Sequence, residues 1–373
     1  MPGTTGRFRC GGLQVELQTA RLTASLRPTE LVTYRQREAA LPFLADLLAQ
    51  EASPGQALWI VSWGFDVPRL LRLLAGRPVA YHAHSSGYGF DLPPATPVLA
   101  VSRNTLGYWG DRSPRSPLFL VPNALEPQWL ERGDRSRGLA AAGPGTSSGE
   151  ALPAEVPGGG DAAMGAGGAV AQPRRPIDVL VQRRKSSAYL LQSLVPALRA
   201  RGLEVVVQEG WVDDLVDLFN SATVVLYDSA DYWRGRGVSE GFGLPPLEAL
   251  ACGCVLFSSL NHALADSLDP GRLGHQIGAG CLGADVEAIT AAVADPTAWL
   301  PAPDALQGLL ASCGETVLLE RWRQALAAID RHWDRLEHGC PPLLSEPVWR
   351  QRWHQRLERL ASLKRRLLRR QGP

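Results

Sequence analysis

The segment between positions 133 and 176 limits what this chain can fold into more than any other feature. It consists mainly of Gly, Ala, Pro and Ser, with few large apolar residues. Such a segment cannot bury a core, so we expect a flexible linker or an insertion. The chain has 373 residues, which is enough for two domains with cores of their own. We therefore expect an N-terminal domain over residues 1–132 and a C-terminal domain over residues 177–345.

Both halves alternate between strand-like and helix-like stretches. Apolar runs with the length of buried strands cover residues 31–34, 58–62, 78–82, 98–102, 118–121, 177–181 and 203–207. Helical patterns cover residues 11–26, 41–50, 67–74 and 188–201. This alternation predicts an α/β fold with parallel sheets and helices on both faces. Ligands of such sheets bind beyond the carboxyl ends of the strands.

The first ten residues lack a strand pattern. They contain a Pro, two Gly and, as the one aromatic residue, Phe8. Domains of this kind ordinarily begin with a central strand that leads into a glycine loop and the first helix. We therefore expect the first strand to be missing, which would leave unpaired backbone groups on its neighbours. We expect either a natural start upstream or an N-terminal domain of poor stability.

The most informative motif runs from Glu240 to Glu248, with the sequence Glu-Gly-Phe-Gly-Leu-Pro-Pro-Leu-Glu. Pro245 suits the first turn of a helix, where its missing N–H is no loss. Gly241 and Gly243 let the preceding loop approach a ligand, so that free N–H groups and the positive helix end point at an anion. We expect Glu248 in the first helical turn and Glu240 in the loop. Two carboxylates on either side of a bound phosphate fit the hydroxyl groups of a nucleotide sugar. For either Glu alone, the alternative is a helix-dipole contact or a solvated loop residue.

With these residues the chain resembles the retaining glycosyltransferases of the GT-B fold, whose Glu-x7-Glu motif matches Glu240 and Glu248. Residues 210–229 are similar to the family's turn, short helix and buried strand, and residues 249–259 to its small-residue helix and following strand. The resemblance is specific over residues 177–265. It implies two Rossmann-like domains that face each other across a cleft. It also implies transfer of a hexosyl unit from a nucleoside diphosphate sugar to a hydroxyl acceptor, saccharide or lipid-linked, with retention of anomeric configuration.

The resemblance implies a role for each residue of the motif. Glu248 would hold the ribose hydroxyl groups, and Glu240 would be the catalytic residue that orients hydroxyl groups of the donor sugar. The N–H groups at Gly243 and Leu244 would stabilise the departing diphosphate.

Basic residues lie near the motif in two places. Residues 183–185 are Arg-Arg-Lys and follow a predicted strand, where similar enzymes place an Arg and a Lys, usually further apart. We assign Arg184 and Lys185 to the diphosphate, since both side chains suit phosphate; the alternative is a solvated basic turn. Arg234 and Arg236, in a predicted loop before the motif, would clamp the diphosphate or an anionic acceptor, or else belong to a surface loop.

Two histidines and two glycines of the N-terminal half are further candidates. His82 and His84 follow a predicted strand and should project toward the cleft, where related enzymes have a histidine near the donor sugar. Either could take that role, and the alternative is a histidine satisfied at a strand end. Gly11 and Gly12 are similar to the family's N-terminal glycine loop, which approaches the donor phosphate or sugar; the alternative is simple helix initiation.

The remaining donor contacts and the metal expectation also follow from the resemblance. The backbone of Trp211 and Val212 occupies the place where similar enzymes contact the nucleobase. The chain has no Asp-x-Asp sequence, so we expect no metal and no cofactor besides the donor. Arg, Lys and a helix end would neutralise the leaving group.

The composition limits the binding partners and the cellular compartment that we expect. The net charge of +1 gives no global basic field, so we expect no nucleic-acid partner. The six cysteines are scattered, and the pair Cys252 and Cys254 lacks further ligands at zinc-like spacing. Free thiols of this kind indicate a reducing compartment. Since no apolar run is long enough for a signal peptide or a membrane span, we expect a cytoplasmic protein.

The C-terminal segment 346–373 is rich in basic residues. We expect an amphipathic helix over residues 349–370, with Trp349 and Trp353 on its apolar face. Such a helix would pack on the N-terminal domain, or it would rest on anionic lipid at the inner face of a membrane.

Two other functions agree with the same motif. The first is a non-catalytic GT-B-like protein that binds nucleotide sugars. The second is a sugar-nucleotide epimerase of the same architecture.

Overall fold

The computed structural model describes residues 1–8, 10–50, 57–62, 64, 66–136, 174–278, 281–339, 349 and 353. Within these residues the chain forms two parallel sheets, each covered by helices on both faces. This arrangement confirms the predicted α/β class.

The first sheet has four strands in the order β1-β2-β3-β4, all parallel. Its strands are β1 (Trp59–Ser62), β2 (Val79–Ala83), β3 (Val98–Ala100) and β4 (Leu118–Leu120). The helices of this half are α1 (Gly11–Thr23), α2 (Leu44–Gln50), α3 (Val67–Leu73), α4 (Arg103–Arg112) and α5 (Pro127–Arg132).

The second sheet has five parallel strands in the order β6-β5-β7-β8-β9. Its strands are β5 (Ile177–Gln182), β6 (Val205–Gln208), β7 (Ala222–Tyr227), β8 (Val255–Ser258) and β9 (His275–Gln276). The helices of this half are α6 (Val195–Ala200), which continues a π-helical turn at Leu190–Leu194, α7 (Leu215–Asn220), α8 (Ala230–Arg234), α9 (Leu244–Ala251), α10 (Leu282–Ala294), α11 (Pro303–Ser312) and α12 (Glu315–Glu337).

Successive residues of the central strands point into different cores, as the two-residue period of a strand requires. In β5, Val179 and Val181 pack with α6 and α10, whereas Leu180 packs with α7 and α9. Because both faces are buried, these strands are continuous apolar runs, which is why they could be predicted from the sequence.

One predicted strand is wrong. Residues 31–34 form no strand; Thr33 makes an isolated bridge with Phe43. The backbone of this segment bonds instead to the start of the chain, since Tyr34 N donates to Met1 O at 2.9 Å. An apolar run without a neighbouring strand cannot enter a ladder, whatever its composition.

The described residues ahead of Trp59 form no strand, and residues Gly6–Phe8 form a short 3-10 turn before α1. Consequently β1 is an edge strand of the first sheet. No strand from this part of the chain pairs with its outer side.

Helix α12 packs on the first sheet, although we assigned its residues to the C-terminal domain from the sequence. Trp322, Leu326 and Ile329 are buried against Ala80 and Leu99 of that sheet. The helix therefore ties the end of the second half to the first half.

Residues on either side of the segment 137–173, which the structure does not describe, lie side by side. Arg175 is buried and donates to the carbonyl oxygens of Asp134 at 2.8 Å, Cys252 at 2.9 Å and Ala222 at 2.7 Å. Arg175, just after the segment, thus contacts Asp134, just before it.

The predicted C-terminal helix lies outside the described residues, except for Trp349 and Trp353, which are both exposed. Among the described helices, none combines the length and the apolar character needed to cross a bilayer.

Candidate functional site

The start of helix α9 is built by glycine and proline. Gly243 caps the helix with φ 88°, and a Cβ at this position would lie 2.1 Å from a side-chain carbon of Leu264, so only glycine fits. Pro245 and Pro246 fill the first turn and have no N–H groups. The N–H groups of Gly243 and Leu244 are therefore the donors that the helix start presents, as the sequence predicted.

Glu240 is buried in a cage of three donors, so it is not a solvated loop residue. Its carboxylate accepts from the hydroxyl of Tyr227 at 2.6 Å and from the indole N–H of Trp233 at 2.6 Å. The ammonium of Lys185 lies 3.4 Å away. These three residues come from the end of β7, from α8 and from the turn after β5, so the carboxyl edge of the second sheet assembles the cage.

The charge state of Glu240 follows from this cage. Burial acts to raise the pKa of Glu240, but the charge of Lys185 and the hydrogen bonds from Tyr227 and Trp233 outweigh it, so the pKa is lowered. Glu240 is therefore an ionised carboxylate held in one orientation.

Glu248 has the opposite electrostatic environment. It is the fifth residue of α9, one turn later than the first turn that the sequence predicted. Burial and the charge of Glu126 raise its pKa to about 8, with Lys185 opposing them. The charge of Lys185 thus lowers the pKa of Glu240 and opposes the rise in the pKa of Glu248.

In the N-terminal half, His82 and His84 converge on Glu16, a residue of α1 that the sequence analysis did not single out. Nδ1 of His82 lies 2.8 Å and Nε2 of His84 lies 2.6 Å from the same Glu16 oxygen, Oε1. The two ring nitrogens are 3.2 Å apart. The side chains of His82 and Glu16 are 1% and 8% exposed, and that of His84 is 12% exposed.

Protonation in this cluster is set by burial and by the partners. Burial acts to raise the pKa of Glu16. His82 and His84 lower it through their charge and their hydrogen bonds, and their effect is larger, so the pKa of Glu16 is lowered. Burial and the charge of His82 lower the pKa of His84, with Glu16 opposing them. An ionised carboxylate and a neutral imidazole are the forms that bind metal ions, so the three side chains could hold one.

The loop after β2 lies directly on the loop before α9, which brings the His cluster beside Glu240. A Cβ at Gly241 would lie 1.5 Å from the carbonyl oxygen of His84, and one at Gly87 would lie 2.2 Å from that of Gly237. Both glycines are required by this close approach. The two halves of the chain therefore meet at the predicted site.

Ser239 is the centre of the contact between the halves. Its hydroxyl lies 2.6 Å from the hydroxyl of Ser86 and 3.2 Å from the amide nitrogen of Asn104. Its carbonyl oxygen accepts from Ser85 at 2.5 Å. A second contact joins Asp266, whose carboxylate accepts from Arg103 N at 2.6 Å, where α4 begins.

Arg184, Arg234 and Arg236 do not converge on the cage. Arg184 is exposed and makes no hydrogen bond or ion pair with the described residues. Arg234 and Arg236 lie at and after the end of α8, where the sequence predicted a loop. Arg234 pairs with Asp231 at 2.6 Å, and Arg236 stacks on the Tyr232 ring at 3.6 Å, so both are already engaged at the surface.

Trp211 and Val212 lie in the loop after β6, and the Trp211 side chain is 66% exposed. Gly11 and Gly12 form the first turn of α1, without a side-chain cap. A Cβ at Gly11 would meet no described atom within 4 Å.

The residues that the sequence analysis missed are Glu16, Tyr227, Trp233 and Ser239. Glu16 gave a weak signal, because it lies one turn after the buried Leu13 on α1. Tyr227 ends a continuous apolar run, where a polar tip at the carboxyl end of a strand is a signal for a site. No local pattern marks Trp233 or Ser239.

Comparison with solved structures gives matches to glycosyltransferases. Sucrose-phosphate synthase from Thermosynechococcus elongatus matches with a TM-score of 0.51 and 17% identity, covering 79% of this chain and 84% of that chain. HepE from Anabaena, in complex with UDP and glucose, matches with a TM-score of 0.53 and 14% identity, covering 88% and 97%. A glycosyltransferase from Rickettsia africae ESF-5 matches with a TM-score of 0.54 and 9% identity, covering 87% and 95%.

No protein-family model matches the chain. No curated protein matches it either. At identities of 9–17% the structural matches establish architecture and not activity. The chain has the GT-B fold, as its resemblance to these enzymes implied.

Proposed function

We propose that this chain transfers a hexosyl unit from a nucleoside diphosphate sugar to a hydroxyl acceptor with retention of anomeric configuration. The observation that carries the proposal is the position of Lys185. Its ammonium lies 3.4 Å from the carboxylate of Glu240, and the Glu240 side chain lies against Gly243, the cap of a helix start that presents N–H groups. A site with this charge pattern suits a diphosphate flanked by two sets of hydroxyl groups.

The diphosphate would lie on the start of α9. The N–H groups of Gly243 and Leu244 would donate to it, and the positive helix end adds to their effect. Lys185 and the exposed Arg184 would supply the remaining positive charge. Because these groups neutralise the leaving group, the transfer step needs no metal ion at the diphosphate.

The two glutamates would divide the donor between them. Glu248 would accept from the ribose hydroxyl groups, and Glu240, fixed by Tyr227 and Trp233, would orient hydroxyl groups of the sugar. HepE, which has the same fold, is described in complex with UDP and glucose. Of the two histidines, His84 would contact the donor sugar, because its side chain is 12% exposed and that of His82 is 1% exposed.

The acceptor would enter from the N-terminal half. The halves touch beside the site through Ser239 and Asp266. Closure of the halves over a bound donor would exclude water and so favour transfer over hydrolysis. The acceptor is a hydroxyl compound, saccharide or lipid-linked.

The test begins with a thermal-shift screen of UDP-, GDP- and ADP-sugars, because a ligand that binds the folded state raises its melting temperature. Products formed from a binding donor are then followed by NMR, which reports the anomeric configuration. Glu240→Gln should transfer more slowly by at least about tenfold, and the matched control Glu209→Gln, at an exposed glutamate paired with Arg183, should transfer as the wild type does.

Each other outcome rejects a stated part of the proposal. An inverted product contradicts retention. Binding without transfer or hydrolysis indicates a non-catalytic nucleotide-sugar-binding protein, and an epimerised nucleotide sugar indicates an epimerase.

A further inference from the structure

The triangle formed by Glu16 Oε1, His82 Nδ1 and His84 Nε2 has the dimensions of a metal-binding face. Its edges are 2.8, 2.6 and 3.2 Å. Ligands about 2.1 Å from a metal ion and at right angles to each other stand about 3.0 Å apart, whereas tetrahedral ligands stand about 3.4 Å apart. The observed edges are closer to the first value than to the second. Two histidines and one carboxylate that occupy one face leave further positions of the ion open.

The three atoms lie within hydrogen-bond distance of one another, and both ring nitrogens approach the same carboxylate oxygen. A ring nitrogen that carries no proton offers a lone pair, as a carboxylate oxygen does, so the same three atoms can hold one ion between them.

The surroundings hold the three ligands in place. The His82 ring packs edge-on against Trp322 at a centroid distance of 5.2 Å, and Nε2 of His82 is buried without a hydrogen-bond partner among the described residues. Nδ1 is therefore the atom through which the His82 ring is satisfied. The His82 and His84 rings have centroids 4.3 Å apart at 61°, so they approach a common point from different directions.

We propose that Glu16, His82 and His84 bind one first-row transition-metal dication. Nitrogen ligands favour such ions over Mg²⁺, which prefers oxygen. The proposal departs from the expectation of no metal, which rested on the absence of an Asp-x-Asp sequence. It goes beyond the proposed transfer reaction, and metal binding is measured without any donor.

The site lies beside the Glu240 loop, since the backbone of His84 contacts Gly241. A metal ion there would stand next to the proposed donor site without replacing Lys185 at the diphosphate.

The test uses untagged, full-length protein that carries Cys281→Ser, because Cys281 is exposed and a free thiol is itself a zinc ligand. After removal of metal ions, Zn²⁺ is titrated by calorimetry and Co²⁺ by its visible absorption, with Mg²⁺ for comparison. We expect one equivalent of Zn²⁺ and of Co²⁺ and no Mg²⁺ at the same concentrations. The variants are Glu16→Gln and His84→Asn. His332→Asn is the matched control, because His332 is part-buried and bonded to Ala95 O, away from the site.

His84→Asn should weaken Zn²⁺ binding by at least about 100-fold, since loss of groups that only support a ligand already weakens affinity 10–100-fold. His332→Asn should bind as the parent does. Circular dichroism checks that each variant folds, and the part-exposed His84 keeps the test valid if Glu16→Gln does not fold. Absence of stoichiometric Zn²⁺ binding, or equal affinity in the parent and His84→Asn, overturns the proposal. Loss of sugar transfer with Zn²⁺ binding intact would instead concern the proposed function.

Discussion

The ammonium of Lys185 lies 3.4 Å from the carboxylate of Glu240, across a separation of 55 residues in the sequence. This is longer than the 2.7–2.9 Å of a strong charge-assisted hydrogen bond, so Glu240 does not fully engage the cation. Lys185 also has φ 72°, a left-handed conformation that is unfavourable for a side chain other than glycine. Backbone strain of this kind is concentrated at functional sites, which agrees with a lysine held ready for an anion.

Lys185→Gln should weaken binding of the nucleoside diphosphate more than binding of the free nucleoside. The lost charge-assisted contact corresponds to ~1.5–3 kcal/mol, or about 10–100-fold in dissociation constant. Calorimetry with the two ligands measures the difference. Arg184→Gln should show the same selectivity, and Arg183→Gln, which removes a side chain paired with Glu209, should not. Equal weakening of nucleoside and nucleoside diphosphate would remove Lys185 from the diphosphate.

Glu240→Gln should lower turnover more than nucleotide affinity, since Glu240 is assigned to the sugar and not to the nucleoside. We expect turnover to fall at least about tenfold and the dissociation constant of the nucleoside diphosphate to change by less than about threefold. Steady-state kinetics and calorimetry give the two quantities. If the affinity falls as far as the turnover, Glu240 contacts the nucleotide or supports the whole loop.

The sequence predicted the central strands and the helix start well because their causes are local. A continuous apolar run such as that of β7 is required when both faces of a strand are buried, and Gly243 is required by its own φ. Contacts between distant segments could not be predicted in this way. Glu16 and His82, which bond to each other, are 66 residues apart in the sequence. Trp233 donates to Glu240 from helix α8, which forms where a loop was predicted. The strand predicted over residues 31–34 was wrong for the same reason, because a strand forms only beside another strand with which it can pair.

Glu248 should make the stability of the donor-free protein depend on pH. Its folded-state pKa of about 8 lies above the ordinary value of 4.5, so the folded protein keeps a proton that the unfolded chain releases between these values. The free energy of unfolding should therefore be highest below about pH 4.5, as far as this group is concerned, and fall as the pH rises to about 8.

Glu248→Gln removes this titration. Relative to the variant, the wild type should lose on the order of 1–3 kcal/mol of stability between pH 5 and pH 8.5, which denaturant unfolding at several pH values measures. Parallel curves for the two proteins would show that Glu248 is ionised at neutral pH. Affinity of the wild type for the nucleoside should rise through about pH 8, as the ionised carboxylate becomes available to the ribose.

Deletion of residues 139–171, with four Gly or Ser residues in their place, should leave the fold and donor binding intact. The chain leaves and returns at the same point, because Arg175 bonds to the carbonyl oxygen of Asp134, so the connection between the two sheets does not need the segment to span a distance. Shortening a loop about fourfold lowers the entropy cost of its closure by about 1 kcal/mol, so the deletion should slightly stabilise the protein. Thermal unfolding and the nucleotide-sugar shift assay measure both effects. Arg175→Met is the contrasting variant: it removes the donor from the buried carbonyl oxygens of Ala222 and Cys252 and from that of Asp134, and it should destabilise the protein by about 1–3 kcal/mol. A deletion variant that fails to fold, or that folds and no longer binds a donor recognised by the wild type, would show that the segment is more than an insertion.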